Sequence, residues 1–213
     1  MKSGDKENII ICFEGPSGIG KTTMSNLLSE RYAAVPEVNL LFERSENEPK
    51  YWYYEKQLER YELCTSSGKS SILDGDIFQP IWYNWVCGYP SNFVGKEETH
   101  AFYAEKIKAD KIKFPDLYVI FNVEEKELRA RKERDKTRRR RNFEKHLKII
   151  EPLKSYYRFL DKETPIEMRF IYFDSLENTK TEVLQVLDSA KKNEINDLKV
   201  FNQIKEWIDK NQP

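Results

Sequence analysis

Phe13-Glu14-Gly15-Pro16-Ser17-Gly18-Ile19-Gly20-Lys21-Thr22-Thr23 satisfies G-x-x-x-x-G-K-[ST] at every fixed position. The run before it, Asn8-Ile9-Ile10-Ile11-Cys12-Phe13, is apolar and β-branched and predicts a buried strand. After it, Met24, Leu27, Leu28 and Tyr32 recur at helical spacing. Strand, glycine loop and helix are the context in which this motif cradles phosphates. Glycines let backbone N–H groups turn inward toward phosphate oxygens, and the following helix adds its positive end. We therefore expect Gly15, Ser17, Gly18, Ile19, Gly20, Lys21, Thr22 and Thr23 to hold a nucleotide, ATP. Lys21, read as a loop residue outside any core, would reach the β- and γ-phosphates, and Thr22 would ligate Mg²⁺.

The chain has 213 residues, which suits one α/β domain over 1–213. Lys and Arg number 36 and so do Asp and Glu, so no net field steers it to nucleic acid or a membrane surface. No apolar run approaches the ~20 residues of a membrane span. The start, Met1-Lys2-Ser3-Gly4-Asp5-Lys6, is polar and does not read as a signal peptide. Cys12, Cys64 and Cys87 lack metal-ligand spacing and read as reduced, buried thiols of a cytoplasmic protein.

Further strands are expected over 35–42, 70–76, 117–123 and 168–173, with helices between them. Among these, a long helix over 143–160 is interrupted near Pro152, and an amphipathic helix closes the chain over about 195–210. Strands alternating with helices imply a five-stranded parallel sheet with helices on both faces, the three-layer P-loop fold. Ligands of such sheets sit beyond the carboxyl ends of the strands.

Glu37, next to Pro36 in an otherwise apolar run, is either an edge-strand glutamate facing water or a carboxylate that takes the proton of an acceptor hydroxyl. Asp74, directly after Ile72-Leu73, is either a turn residue before Gly75 or a holder of Mg²⁺. Asp76 could serve either role or cap the next helix. The basic run from Arg129 to Arg141 could be a solvated face or a nucleic-acid patch. Its place between two helices after the fourth strand suits a lid over about 132–142, whose arginines clamp phosphates and exclude water.

Taken together, the glycine loop, the glutamate after Pro36, the acid ending the third strand, Pro115-Asp116-Leu117 and the arginine-rich run resemble the deoxynucleoside kinase and thymidylate kinase group of P-loop kinases. The resemblance implies that Glu37 is the base and that Asp74 supports metal and nucleophile. It implies that Arg131, Arg134 and Arg138 contact ATP, and that residues 174–178 meet the adenine. One departure stands out. The group follows its third-strand acid with arginine, whereas this chain has Gly75. Glu43-Arg44-Ser45 spells the group's signature but follows the second strand and reads as coincidence.

Trp52, Tyr53, Tyr54, Phe78, Trp82, Tyr83, Trp85, Phe93, Phe102 and Tyr103 cluster on either side of the third strand. Some must be core. As a group, with Gln57, Gln79, Asn84 and His100 among them, they suggest an apolar slot with a few polar anchors. Trp52, Gln57, Asp76, Phe78 and Trp82, with Glu37, are the expected acceptor contacts, and His100 reads as a surface or loop histidine. The expected function is transfer of the γ-phosphoryl group of ATP, with Mg²⁺, to a small-molecule acceptor, most simply a nucleoside-like hydroxyl compound. A nucleoside monophosphate kinase, an antibiotic or metabolite kinase, or a P-loop ATPase switch acting through a partner are the alternatives. No nucleic acid or membrane is expected as partner, and a homodimer is compatible with the sequence.

Overall fold

The computed structural model describes residues 7–134 and 143–213. Its elements run β1 (Ile10–Glu14), α1 (Lys21–Leu27), β2 (Ala33–Val35), α2 (Val38–Leu41), α3 (Trp52–Ser66), β3 (Ser71–Asp74), α4 (Gln79–Val86) and α5 (Lys96–Lys108). They continue with β4 (Leu117–Asn122), α6 (Glu125–Arg134), α7 (Phe143–Lys148), α8 (Ile150–Glu163), β5 (Met168–Tyr172), α9 (Leu176–Ser189) and α10 (Asp197–Lys210). The sheet has five parallel strands in the order β2-β3-β1-β4-β5.

Both faces of the sheet are covered, which is why β1 and β4 read as nearly unbroken apolar runs. Ile11, Phe13, Ile72, Val119 and Phe121 pack with Met24 and Leu28 and with Val183 and Leu187 of α9. Ile10, Cys12, Leu73, Tyr118 and Ile120 face the other way, against Leu58, Ile81, Tyr103, Leu153, Phe201 and Ile204. Each such side chain, buried fully, contributes roughly 1.5–3 kcal/mol. Asp116 ties the sheet to the chain's later part. Its carboxylate accepts from the Ile10 amide at 2.7 Å, the Asn193 amide at 2.9 Å and Lys192 Nζ at 3.0 Å.

Two expected elements end differently. The second strand stops at Val35, and residues 38–41 form a short helix in place of strand. Pro36 has no N–H to give the ladder, so pairing ends there. The long helix breaks at Ile149, and Pro152 sits in the first turn of α8, where a missing N–H is tolerated. The cysteines are free as expected, but only Cys12 and Cys64 are buried, with Cys87 partly exposed. No helix among the described residues is long and apolar enough to cross a membrane.

His100 is not at the surface. It is 2% exposed, its Nε2 has no hydrogen-bond partner among the described residues, and its ring lies edge-on to Phe201. Burial, aided by Lys205 and Lys96 and opposed by Asp209 and Glu97, pushes its pKa down to about 4. The unfolded chain takes up this proton near pH 6.5. Between pH 6.5 and 4 the unfolded state thus binds more protons, and stability is lost as pH falls through that window. We expect wild-type protein to lose about 2–3 kcal/mol more than His100→Phe between pH 7 and 4. Urea unfolding at both pH values checks this, and equal losses would show that the ring is not held neutral.

Candidate active site

The glycine loop leaves β1 at Gly15, whose backbone adopts φ +144°. A Cβ there would stand 2.5 Å from the Phe121 carbonyl oxygen of the neighbouring strand, so only glycine fits. The loop then delivers Lys21 to the start of α1. Lys21 is buried, contrary to its reading as a residue outside any core. Its Nζ donates to the Gly15 carbonyl at 2.8 Å and lies 3.8 Å from Glu14 Oε1. Burial disfavours its charge, but Glu14, Glu37 and Asp74 together hold the ammonium above the usual lysine range.

The parallel register pairs Phe13 with Asp74, and the Gly75 amide donates to the Phe13 carbonyl at 2.9 Å. Asp74 is thereby set beside the glycine loop. Thr22 Oγ1 donates to Asp74 Oδ2 at 2.6 Å, while Asp74 Oδ1 is buried with no partner among the described residues. Burial and Glu37 raise the Asp74 pKa against Lys21 and Thr22. Thr22 and Asp74 are hard oxygen donors, one with an orphaned oxygen, in a region of excess carboxylate. That donor set fits Mg²⁺.

Glu37 lies just beyond β2, at the N-terminus of α2, and its side chain does not cap that helix. It faces Gly75, whose φ of +86° suits glycine, and a Cβ at that position would sit 3.6 Å from Glu37 Cγ. An arginine at position 75 would be strained by the backbone alone.

These groups line one cavity of about 620 Å³, a size that suits a small molecule. Glu14, Lys21, Glu37, Asp74 and Gly75 form part of its wall, and Tyr53, Trp82, Tyr83, Phe93, Gln79 and Asn84 form another. Tyr53 OH donates to Gln79 Oε1, and Asn84 Nδ2 donates to Tyr54 OH at 2.7 Å.

Four expected acceptor contacts are not cavity residues. Phe78 is fully buried and stacks on Phe114 at 4.1 Å. Asp76 turns into the core, where its carboxylate accepts from the Phe78 amide and from Tyr118 and Tyr157 at 3.0–3.1 Å. Burial raises its pKa to about 7 against those donors. Gln57 is fully buried and accepts from Arg60. Trp52 lies outside the wall and carries the Arg44 guanidinium 5.0 Å from its ring centre. The causes differ: Asp76 and Phe78 precede α4 and meet Tyr118, Tyr157 and Phe114 in the core, whereas the phase of α3 turns Gln57 inward and leaves Trp52 outside the wall.

Arg44, in the Glu43-Arg44-Ser45 stretch, borders the cavity, and Glu48 Oε1 accepts from its Nε at 2.8 Å. Two more residues escaped sequence reasoning. Glu14 is 4% exposed and accepts from the Gly15 amide at 2.7 Å and the Asp76 amide at 3.0 Å. Burial raises its pKa despite Lys21 and those amides. An acid ending a wholly apolar strand was the available signal. Arg60, which the sequence did not single out, is 1% exposed and also borders the cavity.

On the other side of the glycine loop, Arg131 joins three elements. Its guanidinium donates to the Ile19 carbonyl at 2.7 Å and the Phe173 carbonyl at 3.2 Å, and lies 4.6 Å from the Phe173 ring centre. It therefore links the loop to the segment after β5. Asp174 in that segment is exposed and accepts from Asn178 Nδ2 at 2.9 Å. Arg134 is exposed and pairs with Glu127 at 3.1 Å, away from the cavity wall. Arg138 lies outside the described residues.

The five-stranded parallel sheet, the glycine loop after β1 and the helices on both faces make a three-layer α/β P-loop fold. Among solved structures it is similar to the thymidylate kinase of Ehrlichia chaffeensis, with TM-score 0.52 and 20% identity over 84% of this chain and 98% of that one. It is also similar to the deoxyadenosine kinase of M. mycoides with bound dATP, with TM-score 0.53 and 16% identity over 85% of this chain and 100% of that one. The thymidylate kinase of Candida albicans matches with TM-score 0.56 and 14% identity, over 85% and 92% of the two chains. At these identities the likeness is one of fold. No protein-family model and no curated protein matches the chain.

Proposed function

We propose that this protein is a P-loop small-molecule kinase that transfers the γ-phosphoryl group of ATP to a hydroxyl of a ring-bearing, nucleoside-like acceptor. One observation carries the reading: Lys21, Glu37 and Asp74 share a cavity wall with Tyr53, Trp82, Tyr83 and Phe93. A switch that activates water has no need of such an aromatic slot. In this reading the glycine loop holds the ATP phosphates, and Arg131 with residues 174–178 borders the adenine. Arg134 and Arg138 belong to a lid that closes over the donor. Mg²⁺, held by Thr22 and Asp74, would neutralise charge on the phosphates. Glu37 takes the acceptor proton, and Lys21 stabilises the charge that develops on the transferred group.

A neutral hydroxyl is favoured over a phosphate because the cations at the cavity are already partnered, Arg44 by Glu48 and Lys50 by Glu98. Gly75 stands where the resembling kinases carry arginine. The nearby Arg60 donates to the carbonyls of Pro36, Asp74 and Gly75 and to Gln57, so little of its fork remains for a dianion. Nucleosides, nucleoside monophosphates and ring-bearing antibiotics should be titrated while ADP release and tryptophan fluorescence are followed. We expect saturable, acceptor-dependent turnover with an unphosphorylated ring compound. Turnover with a monophosphate and with no unphosphorylated compound would identify a nucleotide kinase instead, and turnover indifferent to every acceptor would favour an ATPase.

A further inference from the structure

We propose that Arg60 is a positioning residue that sets the spacing between the proposed base, Glu37, and the proposed magnesium ligand, Asp74. The inference rests on the kinase reading but concerns a residue which neither the glycine-loop motif nor the resemblance singles out.

Glu37 and Asp74 lie at the carboxyl ends of two different strands, each at a backbone turn. Glu37 follows β2 after Pro36, and Asp74 ends β3 before Gly75. β2 is only three residues long and lies at the sheet edge, so strand pairing alone holds the Glu37 turn weakly. A single guanidinium bridges the two turns. Arg60 Nε donates to the Pro36 carbonyl at 2.8 Å, and Nη2 donates to the Asp74 carbonyl at 2.8 Å and the Gly75 carbonyl at 2.9 Å. Nη1 donates to Gln57 Oε1 at 2.6 Å, which fixes the plane of the fork from within α3.

Three carbonyls in two turns are thus satisfied by one side chain that is 1% exposed. Hydrogen bonds from a buried cation are stronger than neutral ones, and the planar fork fixes direction as well as distance. The positive φ of Gly75 belongs to the same device, because it turns that carbonyl toward Arg60 alongside the Asp74 carbonyl. The charge is useful in place: Glu14, Glu37 and Asp74 meet Lys21 here, and Arg60 adds a second cation without occupying the acceptor's space. Lysine could keep the charge but, as a point donor, could not span both turns.

The test is calorimetric binding of ATP in EDTA and in saturating Mg²⁺, with thermal melting run in parallel. Wild-type protein should bind ATP more tightly with Mg²⁺. Arg60→Lys should lose about tenfold or more of that Mg²⁺ enhancement, the range for residues that orient metal ligands, while its affinity in EDTA stays within about twofold of wild type. In an Asp74→Asn background the same change should remove little further. If Arg60→Lys does not fold, Gln57→Met takes its place; it removes only the acceptor that fixes Nη1, and should lose part of the enhancement. An unchanged enhancement in the folded variant, or an equal fall with and without Mg²⁺, overturns the positioning role and leaves the kinase reading standing. Wild-type protein that binds no ATP under either condition overturns both.

Discussion

Lys21→Ala is expected to remove phosphoryl transfer and to lower the melting temperature, two effects with separate causes. The catalytic loss follows from the missing charge at the transferred group, and should cost ~2 kcal/mol or more, roughly thirtyfold in rate. The stability loss follows from Glu14. That carboxylate is 4% exposed and lies 3.8 Å from Lys21 Nζ. Truncating Lys21 leaves it buried without its cation, a loss of about 3 kcal/mol. For a chain of this size that is a fall of roughly 6–12 °C. This departs from the sequence expectation, in which Lys21 sat outside any core.

The stability arm has its own pH signature. Burial already raises the Glu14 pKa, and loss of Lys21 raises it further. A group with a raised native pKa binds more protons folded than unfolded, so its penalty shrinks as pH falls. The melting deficit of Lys21→Ala relative to wild type should therefore be larger at pH 8 than at pH 5.5. ADP release and melting curves measured across that range decide the matter. Retention of more than about a tenth of activity would remove Lys21 from the transition state, and a deficit that does not change with pH would remove Glu14 as its cause.

Glu37→Gln carries the second large effect. General-base catalysis contributes about 10²–10⁴-fold, so kcat on the true acceptor should fall within that range. Affinity for ATP should change less than about twofold, because in the proposed arrangement the carboxylate touches the acceptor and not the donor. The fold should tolerate the change. Glu37 is partly exposed, its side chain takes no part in capping α2, and glutamine keeps its volume. A normal kcat would leave Glu37 a structural carboxylate of the cavity wall.

The glycine loop was readable because its requirements are local. A tight turn needs glycines, phosphate needs N–H groups and a lysine, and all of them fall within eight consecutive positions, 15–22. The parallel sheet was readable because burial on both faces leaves unbroken apolar runs, as in Ile9-Ile10-Ile11 and Val119-Ile120-Phe121. The position of Asp74 beside the loop was readable for a related reason, since the carboxyl end of a neighbouring strand is a place that topology dictates. The remainder of the site depends on tertiary packing. Strand β2 ends at a proline whose effect on pairing became plain only with its neighbour β3 in place. Phe78 and Asp76 went to the core, where Phe114, Tyr118 and Tyr157 meet them, and Gln79, Trp82 and Tyr83 went to the cavity because the docking of α4 against α5 and α8 sets its phase. Arg60 was not legible, for no local pattern along α3 reveals that three carbonyls from two distant turns will meet it. A polar side chain can be buried only where partners from elsewhere in the chain converge on it, and that convergence is a property of the folded molecule alone.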